Sequence, residues 1–511
     1  MAYIIEKKQG KQIYLYQVES YWDKEKKQAR QKRKYIGKKV EEQEQTQQAN
    51  IKYEAKDYGQ IYLIKQIAKE IGLDKILKEV FRDKCEEILE ITYYEITEAN
   101  PLYLYESWRE ATSLSDEKKE RKQIENVIEE LGNKKEQRYE FFQKWIGRNN
   151  KGQALVFDIT SLSSYGKENA LIEWGYNRDG EELPQCNLGV VYNEESLVPL
   201  YYKVYPGSIA DVSTLKNTVS DLVMFGAKES LFILDRGFYS ATNIEKMNQE
   251  KIEFLIPMPK TVASFDKLMK QSYGLQTSID KLFSYKSEVL AYEKQKLQIG
   301  KVELEAHIYF NRKRKNEEEL RFLRKLLDIE ETIINKGFTK EQEVLDYLAL
   351  DSQLSKYFTV NFSDTKLKLT RNNKEIEEHL GNKGIIILLA SKPNLARESV
   401  LSLYRQKDYL EKIFDILKNE FDGKRLKCHS QASMEARLFI KFLALILYSA
   451  LTKKMKISNM FKLYSIKEIF YELKKLRIIS INSSQFYLSE ISKKQKEIFS
   501  KLDIQIPSLL T

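Results

Sequence analysis

Two short apolar runs in this chain each end on an aspartate: Ala154-Leu155-Val156-Phe157-Asp158 and Leu231-Phe232-Ile233-Leu234-Asp235. Continuous apolar runs of this length predict buried strands. In open α/β sheets, ligands bind beyond the carboxyl ends of the strands. Two carboxylates at neighbouring strand tips repel each other unless a cation lies between them, and oxygen donors suit Mg2+ or Mn2+. Taken singly, either aspartate reads more readily as a turn former or helix cap. A third element adds to the pair. A helix is expected from about Arg397 to Phe421, and on it Tyr404, Lys407, Glu411 and Lys418 follow at steps of three, four and seven residues. At 100° per residue they fall within an arc of about 60°. Leu403, Leu410, Phe414, Leu417 and Phe421 form an adjacent apolar stripe that should bury against a core. The strip could present a carboxylate to a metal and ammonium groups to phosphates. Without the two aspartate strands it would read as a helix with charge pairing and nothing more.

Other chemistries find little support. The three histidines (His307, His379, His429) and three cysteines (Cys85, Cys186, Cys428) are scattered, and no CxxC pair occurs. Neither a zinc site, a disulfide framework nor a Ser-His-Asp triad is suggested. Leu438–Leu451 is the most apolar stretch, but it has 14 residues and contains Lys441, so a buried helix is expected rather than a membrane span. No signal peptide is legible, and a cytoplasmic protein is expected. The net charge of +10 is unevenly placed. From Leu401 to Thr511 there are 21 basic and 11 acidic residues, and Met1–Val40 holds 12 basic against 4 acidic. Two basic poles fit a polyanion partner, although Lys-rich faces also serve merely to solubilise helices.

The elements that must position these residues divide the 511-residue chain into several regions. Residues 1–50 read as a small basic β-rich module, with a strand at Ile13–Tyr21, a basic run Lys24–Lys39 and a polar linker at 41–50. Residues 51–150 carry helical periodicity, with a turn at Gly72. They could form a DNA-binding region or a plain bundle. Strands alternating with helices over 151–260 predict an α/β domain with a largely parallel core. Residues 261–383 break that rhythm and read as an insertion. The core returns over 384–450 with a strand at Gly384–Ala390. A basic, mostly helical tail follows over 451–511, with strand-like pieces near Ile478 and Phe486.

With these motifs in order, the sequence resembles insertion-sequence transposases of the DDE type, in the insertion-sequence-four-like superfamily. The segments VFDIT and ILDRGFYS resemble the strands of the first and second acids, and PGSIADVSTL resembles the loop between them. The family signature is Tyr, two residues, Arg, three residues, Glu, six residues, Lys. Tyr404, Lys407, Glu411 and Lys418 stand at that spacing, with Lys407 in place of the arginine. The opening YLYQVESYWDKEKKQARQKRKYIGK resembles the N-termini of one branch.

The resemblance implies a ribonuclease-H-like catalytic core interrupted by a β-rich insertion. It implies Asp158, Asp235 and Glu411 as metal ligands for two Mg2+ or Mn2+ ions, and Glu435 is a rival third acid without the flanking spacing. Cleavage at an element's ends and joining to target DNA would follow, in a homodimer. Expected DNA contacts are Tyr404, Lys407, Lys418, Arg405 and Arg236 near the site, and Lys32, Arg33 and Lys34 in the N-terminal run. Arg405 could compensate for Lys407, whose point charge lacks the bidentate fork of a guanidinium. Competing readings are a nuclease of the same fold without strand transfer, a DNA-binding protein without catalysis, and a carboxylate-pair glycosidase.

Overall fold

The computed structural model describes residues 2–9, 12–39, 53–114, 121–150, 154–166, 169–209, 211–227, 230–272, 274–349, 354–363, 366–428, 430–482 and 485–508. The expected linker at 41–50 lies outside them. The chain divides into two compact units, one of residues 1–55 with 478–488 and one of residues 56–477 with 489–511.

The smaller unit opens with an antiparallel meander of β1 (Ala2–Gln9), β2 (Gln12–Asp23) and β3 (Gln28–Lys39), with a register shift at Leu15/Tyr16. The strand and basic run expected there become β2, the turn at 24–27 and β3. Then comes β4 (Tyr53–Asp57).

In the larger unit, helices Gly59–Ile71 and Leu73–Phe81 turn at Gly72, whose left-handed φ of 74° suits a residue without a Cβ. Helices Cys85–Thr97, Arg121–Asn133 and Lys135–Asn149 follow. They pack onto the core through aromatic rings: Phe142 meets Tyr201 at 4.8 Å and Phe141 meets Phe439 at 5.1 Å. Phe439 belongs to helix Gln431–Ile457, which contains the expected buried stretch. None of the described helices is long and apolar enough to cross a membrane. Gly132 lets the helix Arg121–Asn133 approach this long helix, since a Cβ there would collide with the Ala432 carbonyl oxygen. Overpacking of this kind costs ~1–3 kcal/mol, against ~1 kcal/mol gained in helix propensity. Gly132→Ala is therefore expected to lower the melting temperature, as read by circular dichroism.

The core is one sheet in the order β10-β11-β12-β15-β9-β8-β5-β6-β7. Its strands are β5 (Ala154–Ser164), β6 (Gln185–Asn193), β7 (Pro199–Pro206), β8 (Leu231–Ile233), β9 (Phe254–Pro257), β10 (Leu282–Tyr285), β11 (Glu288–Ile299), β12 (Val302–Asn311) and β15 (Ile385–Ala390). β13 (Phe358–Ser363) and β14 (Lys366–Arg371) pair separately, and β16 (Arg425–Leu426) runs parallel to the end of β5. Within the sheet, β5, β8 and β9 are parallel, while β6 and β7 form an antiparallel meander beside β5. This is the ribonuclease-H-like arrangement expected. The sheet as a whole is mixed rather than largely parallel, because β15, β12, β11 and β10 continue it antiparallel from β9. The short turns at Tyr285/Glu288 and Ile299/Val302 force β10, β11 and β12 to reverse in turn, while β15 enters the sheet through long connections.

That continuation also redraws the insertion expected at 261–383. Strands β10–β12 belong to the core sheet. The part with its own apolar cluster, including Leu326, Ile333, Val344, Leu348 and Tyr357, lies in helices Arg312–Lys336 and Glu341–Ala349 and the segments up to Leu380. It is mixed α/β rather than β-rich. At the other end, β17 (Arg477–Ile481) and β18 (Gln485–Leu488) form a hairpin where strand-like pieces were expected. They join β4 in a three-stranded sheet instead of staying with the helical tail.

Candidate active site

The parallel register of β5 and β8 sets the two aspartates side by side. Val156 pairs with Ile233, so Asp158 and Asp235, each two residues further on, stand at one level. Neighbouring strands lie ~4.8 Å apart, close enough for the charges to feel each other. Burial, and then the charge of Asp235, push the Asp158 carboxyl up to about 6, against the Ile159 N–H donated to Oδ1 at 2.8 Å. Burial also raises Asp235, but a hydrogen bond and the charge of Lys407 outweigh it and hold that carboxyl below its usual value.

The signature helix reaches this point with two irregularities. It is expected as one helix, but it forms as Arg397–Arg405 and Lys407–Asp415, joined at Gln406, and ends in a π-helical turn at Ile416–Glu420. Such turns are frequent at functional sites, and the extra residue rotates the chain beyond them about the helix axis. Lys407 and Glu411 stay adjacent, whereas Lys418, within the π-helical turn, pairs with Asp179. Lys407 turns inward, Nζ lying 2.5 Å from Asp235 Oδ1 and 3.4 Å from Glu411 Oε1. Its ammonium thus bridges the second and third acids, with the charge of Asp158 also within reach. Glu411 remains largely exposed, at 61%. Tyr404 is half-buried on the apolar cluster of Phe283, Tyr285 and Tyr309, and burial raises its hydroxyl. Beyond it, Tyr409 seats the helix on the sheet against Tyr192, the ring centroids 4.9 Å apart.

The remaining basic candidates separate. Lys418 binds both oxygens of Asp179, at 2.6 and 2.8 Å. Arg405 makes a bidentate pair with Glu288, both contacts at 2.9 Å, and stacks on Tyr285. Arg236 is exposed beside Asp235. Lys32, Arg33 and Lys34 are exposed on β3 in the other unit.

Glu435 occupies a different environment. It pairs with Arg138 at 3.4 Å, and Arg138 also donates to the Leu131 and Gly132 carbonyls at 2.5 and 2.7 Å, closing a helix end. Burial raises the Glu435 carboxyl. These contacts tie Glu435 to Arg138 and to the end of the helix Arg121–Asn133.

Several residues at the site carried no sequence signal. A groove of about 670 Å3 opens beside the aspartates and includes Tyr176, Arg178, Asn187 and Ser208. Its loop is tied to β5 by the Arg178 N–H donated to Ser161 Oγ at 3.3 Å and by Asn177 Nδ2 donated to Ser163 Oγ at 3.1 Å. Small hydroxyl residues inside a strand rarely announce such a role. Lys260 was also missed. Burial, helped by the positive charges of Lys383, Arg314 and Arg236 and opposed by Glu318, pushes its ammonium down to about 8.

Carboxylates suit a hard divalent cation in kind, and Asp158 and Asp235 repel each other beside the Lys407 ammonium. As they stand, no three described Asp, Glu, His or Cys side chains are gathered closely enough to hold an ion. The cation between Asp235 and Glu411 is the Lys407 ammonium.

A family profile described as a transposase DDE domain matches residues 149–447. Among solved structures, the chain is similar to a piggyBac transposase synaptic complex with hairpin DNA, at 12% identity and a TM-score of 0.39, over 81% of this chain and 76% of that one. No curated protein matches the chain significantly.

Proposed function

The chain belongs to the transposase DDE domain family, and from that premise we propose that it cleaves the ends of an insertion sequence and joins them to target DNA. The observation that supports this reading is that Asp158, inside β5, and Asp235, just past the end of the parallel β8, stand at one level, with Lys407 Nζ between Asp235 and Glu411. In this reading the three carboxylates hold Mg2+ or Mn2+, most economically as two ions. Bound there, the metal supplies Lewis-acid stabilisation of the attacking and leaving oxygens. The chain's own residues position the DNA. Lys407 moves from the carboxylates to a backbone phosphate, Lys418 does the same on leaving Asp179, and Arg236 faces the strand that enters. Tyr404 offers its ring and hydroxyl beside the reacting phosphate.

Hydrolysis of one phosphodiester at the element's end frees a 3′-OH. That hydroxyl then attacks a target phosphodiester, exchanging one P–O bond for another. Neither step requires a histidine, and His307 and His379 are engaged with the hydroxyls of Tyr292 and Tyr357. A homodimer, with each protomer acting on an end, is part of the proposal.

Labelled DNA carrying the terminal repeats, incubated with Mg2+, Mn2+ or EDTA and a second DNA, tests it. Metal-dependent cutting at the repeat ends followed by joining is the expected result. Cutting without joining would instead make the chain a nuclease of the same fold. Binding without cutting in either metal would overturn the catalytic reading.

A further inference from the structure

The meander β1–β3 has two chemically different faces. Its register sets Tyr3 opposite Val18 and Val18 opposite Arg33, Ile5 opposite Tyr16 and Tyr16 opposite Tyr35, and Trp22 opposite Ala29. Tyr14 pairs with Lys38 on the same side. Side-chain contacts agree with this assignment. Tyr35 meets Tyr16 at 5.6 Å and Tyr14 at 6.2 Å, Lys38 lies 5.3 Å over the Tyr14 ring, and Gln31 donates to the Tyr3 hydroxyl at 2.8 Å. One face therefore carries five aromatic rings with Arg33 and Lys38 among them. Val18 at its centre is buried, while Trp22, Tyr35 and Tyr3 are 64%, 51% and 47% exposed. The other face carries Arg30, Lys32 and Lys34, opposite Tyr21, Glu19 and Gln17.

Exposed rings interleaved with cations on a small sheet match the chemistry of an unpaired nucleic-acid strand. Bases stack on the rings and phosphates meet the cations. A duplex keeps its base faces inside the stack, where such rings cannot reach, and the cations alone would recognise it only through its backbone. We infer that the β1–β3 face bearing Tyr3, Tyr16, Trp22, Tyr35, Arg33 and Lys38 binds single-stranded DNA by stacking. The choice of DNA rests on the transposase reading, but the stacking does not depend on the carboxylate site, and its test requires no cleavage. For a chain that exposes or distorts DNA ends, this face would hold bases that have left the duplex. The basic opposite face would supply sequence-independent attraction.

The test uses the full chain in EDTA with fluorescein-labelled oligothymidine of about 16 nucleotides, and a duplex of similar length, read by anisotropy. Trp22→Ala and Tyr35→Ala are each expected to weaken single-strand binding about tenfold and to leave duplex binding within about twofold, since stacking is felt only by unpaired bases. Trp22→Phe, which keeps a ring, should bind the single strand nearly as the parent does. Lys32→Gln with Lys34→Gln should weaken both ligands alike. Unchanged single-strand affinity in both alanine variants would overturn the inference. So would a parallel fall in duplex affinity, or a Trp22→Phe variant as weak as Trp22→Ala. Because no metal is present, failure here leaves the cleavage reading standing, and failed cleavage leaves this one standing.

Discussion

As the proposed ligands of the catalytic cation, Asp158 and Asp235 are each expected, when changed to Asn, to abolish end cleavage and strand joining, with a fall of about a thousandfold or more. The two variants should differ in stability, and that difference separates chemistry from folding. Burial and the charge of Asp235 raise the Asp158 carboxyl to about 6. Above that pH the ionised form costs the folded state free energy, and the cost disappears as the pH falls and the group takes up a proton. A neutral asparagine should therefore leave the metal-free melting temperature unchanged or higher at pH 7. Asp235 is the opposite case: its carboxyl is held down by Lys407, so its contribution is present at neutral pH and fades in acid. Asp235→Asn should lower the melting temperature. Calorimetry in EDTA, beside the cleavage gel, checks both. An Asp158→Asn protein that cleaves normally would remove that residue from the site.

Lys407→Met is expected to give the largest change in metal response. The side chain is mostly buried and bridges Asp235 and Glu411. Its loss should destabilise the metal-free chain by about 1–3 kcal/mol, between the values for exposed and buried pairs. Mg2+ or Mn2+ should restore more stability in this variant than in the parent, because the ion no longer competes with an ammonium group. Equal metal-induced shifts in the two proteins would show that Lys407 does not occupy the metal's position. Lys407→Arg keeps the charge and adds a bidentate fork, so it should retain or improve DNA binding.

The legible parts of the site were those written in continuous apolar patterns. β5, β6, β8 and β9 are buried almost throughout, and the runs of β5 and β8 pointed to Asp158 and Asp235, although β5 continues past Asp158 to Ser164 instead of ending there as expected. Strand β11 belongs to the same sheet but alternates between buried and exposed residues, as an antiparallel strand with a wet face does, so it reads as a separate domain. The helix carrying Glu411 was legible in its periodicity, yet its join at Gln406 and its π-helical turn were not. No proline or glycine marks either irregularity. The partners that hold Lys418 and Arg405, namely Asp179 and Glu288, lie over a hundred residues away in sequence and leave no local trace. The aromatic face of β1–β3 was hidden for another reason. Its rings look like ordinary strand residues until the register shows that they share one side.

The placement of β15 has a consequence for how the chain is made. β15 sits between β9 and β12, yet it lies about 130 residues after β9 in the chain. During synthesis at ~5–20 residues per second, the outer edge of β9 stays without its neighbour for roughly 6–26 s. Throughout that interval it offers unpaired backbone groups to any passing strand. The nascent catalytic half is thus most prone to aggregation just before the helix bearing Glu411 emerges. Slower translation across residues 258–385 should lower the soluble yield more than the same delay placed after residue 390.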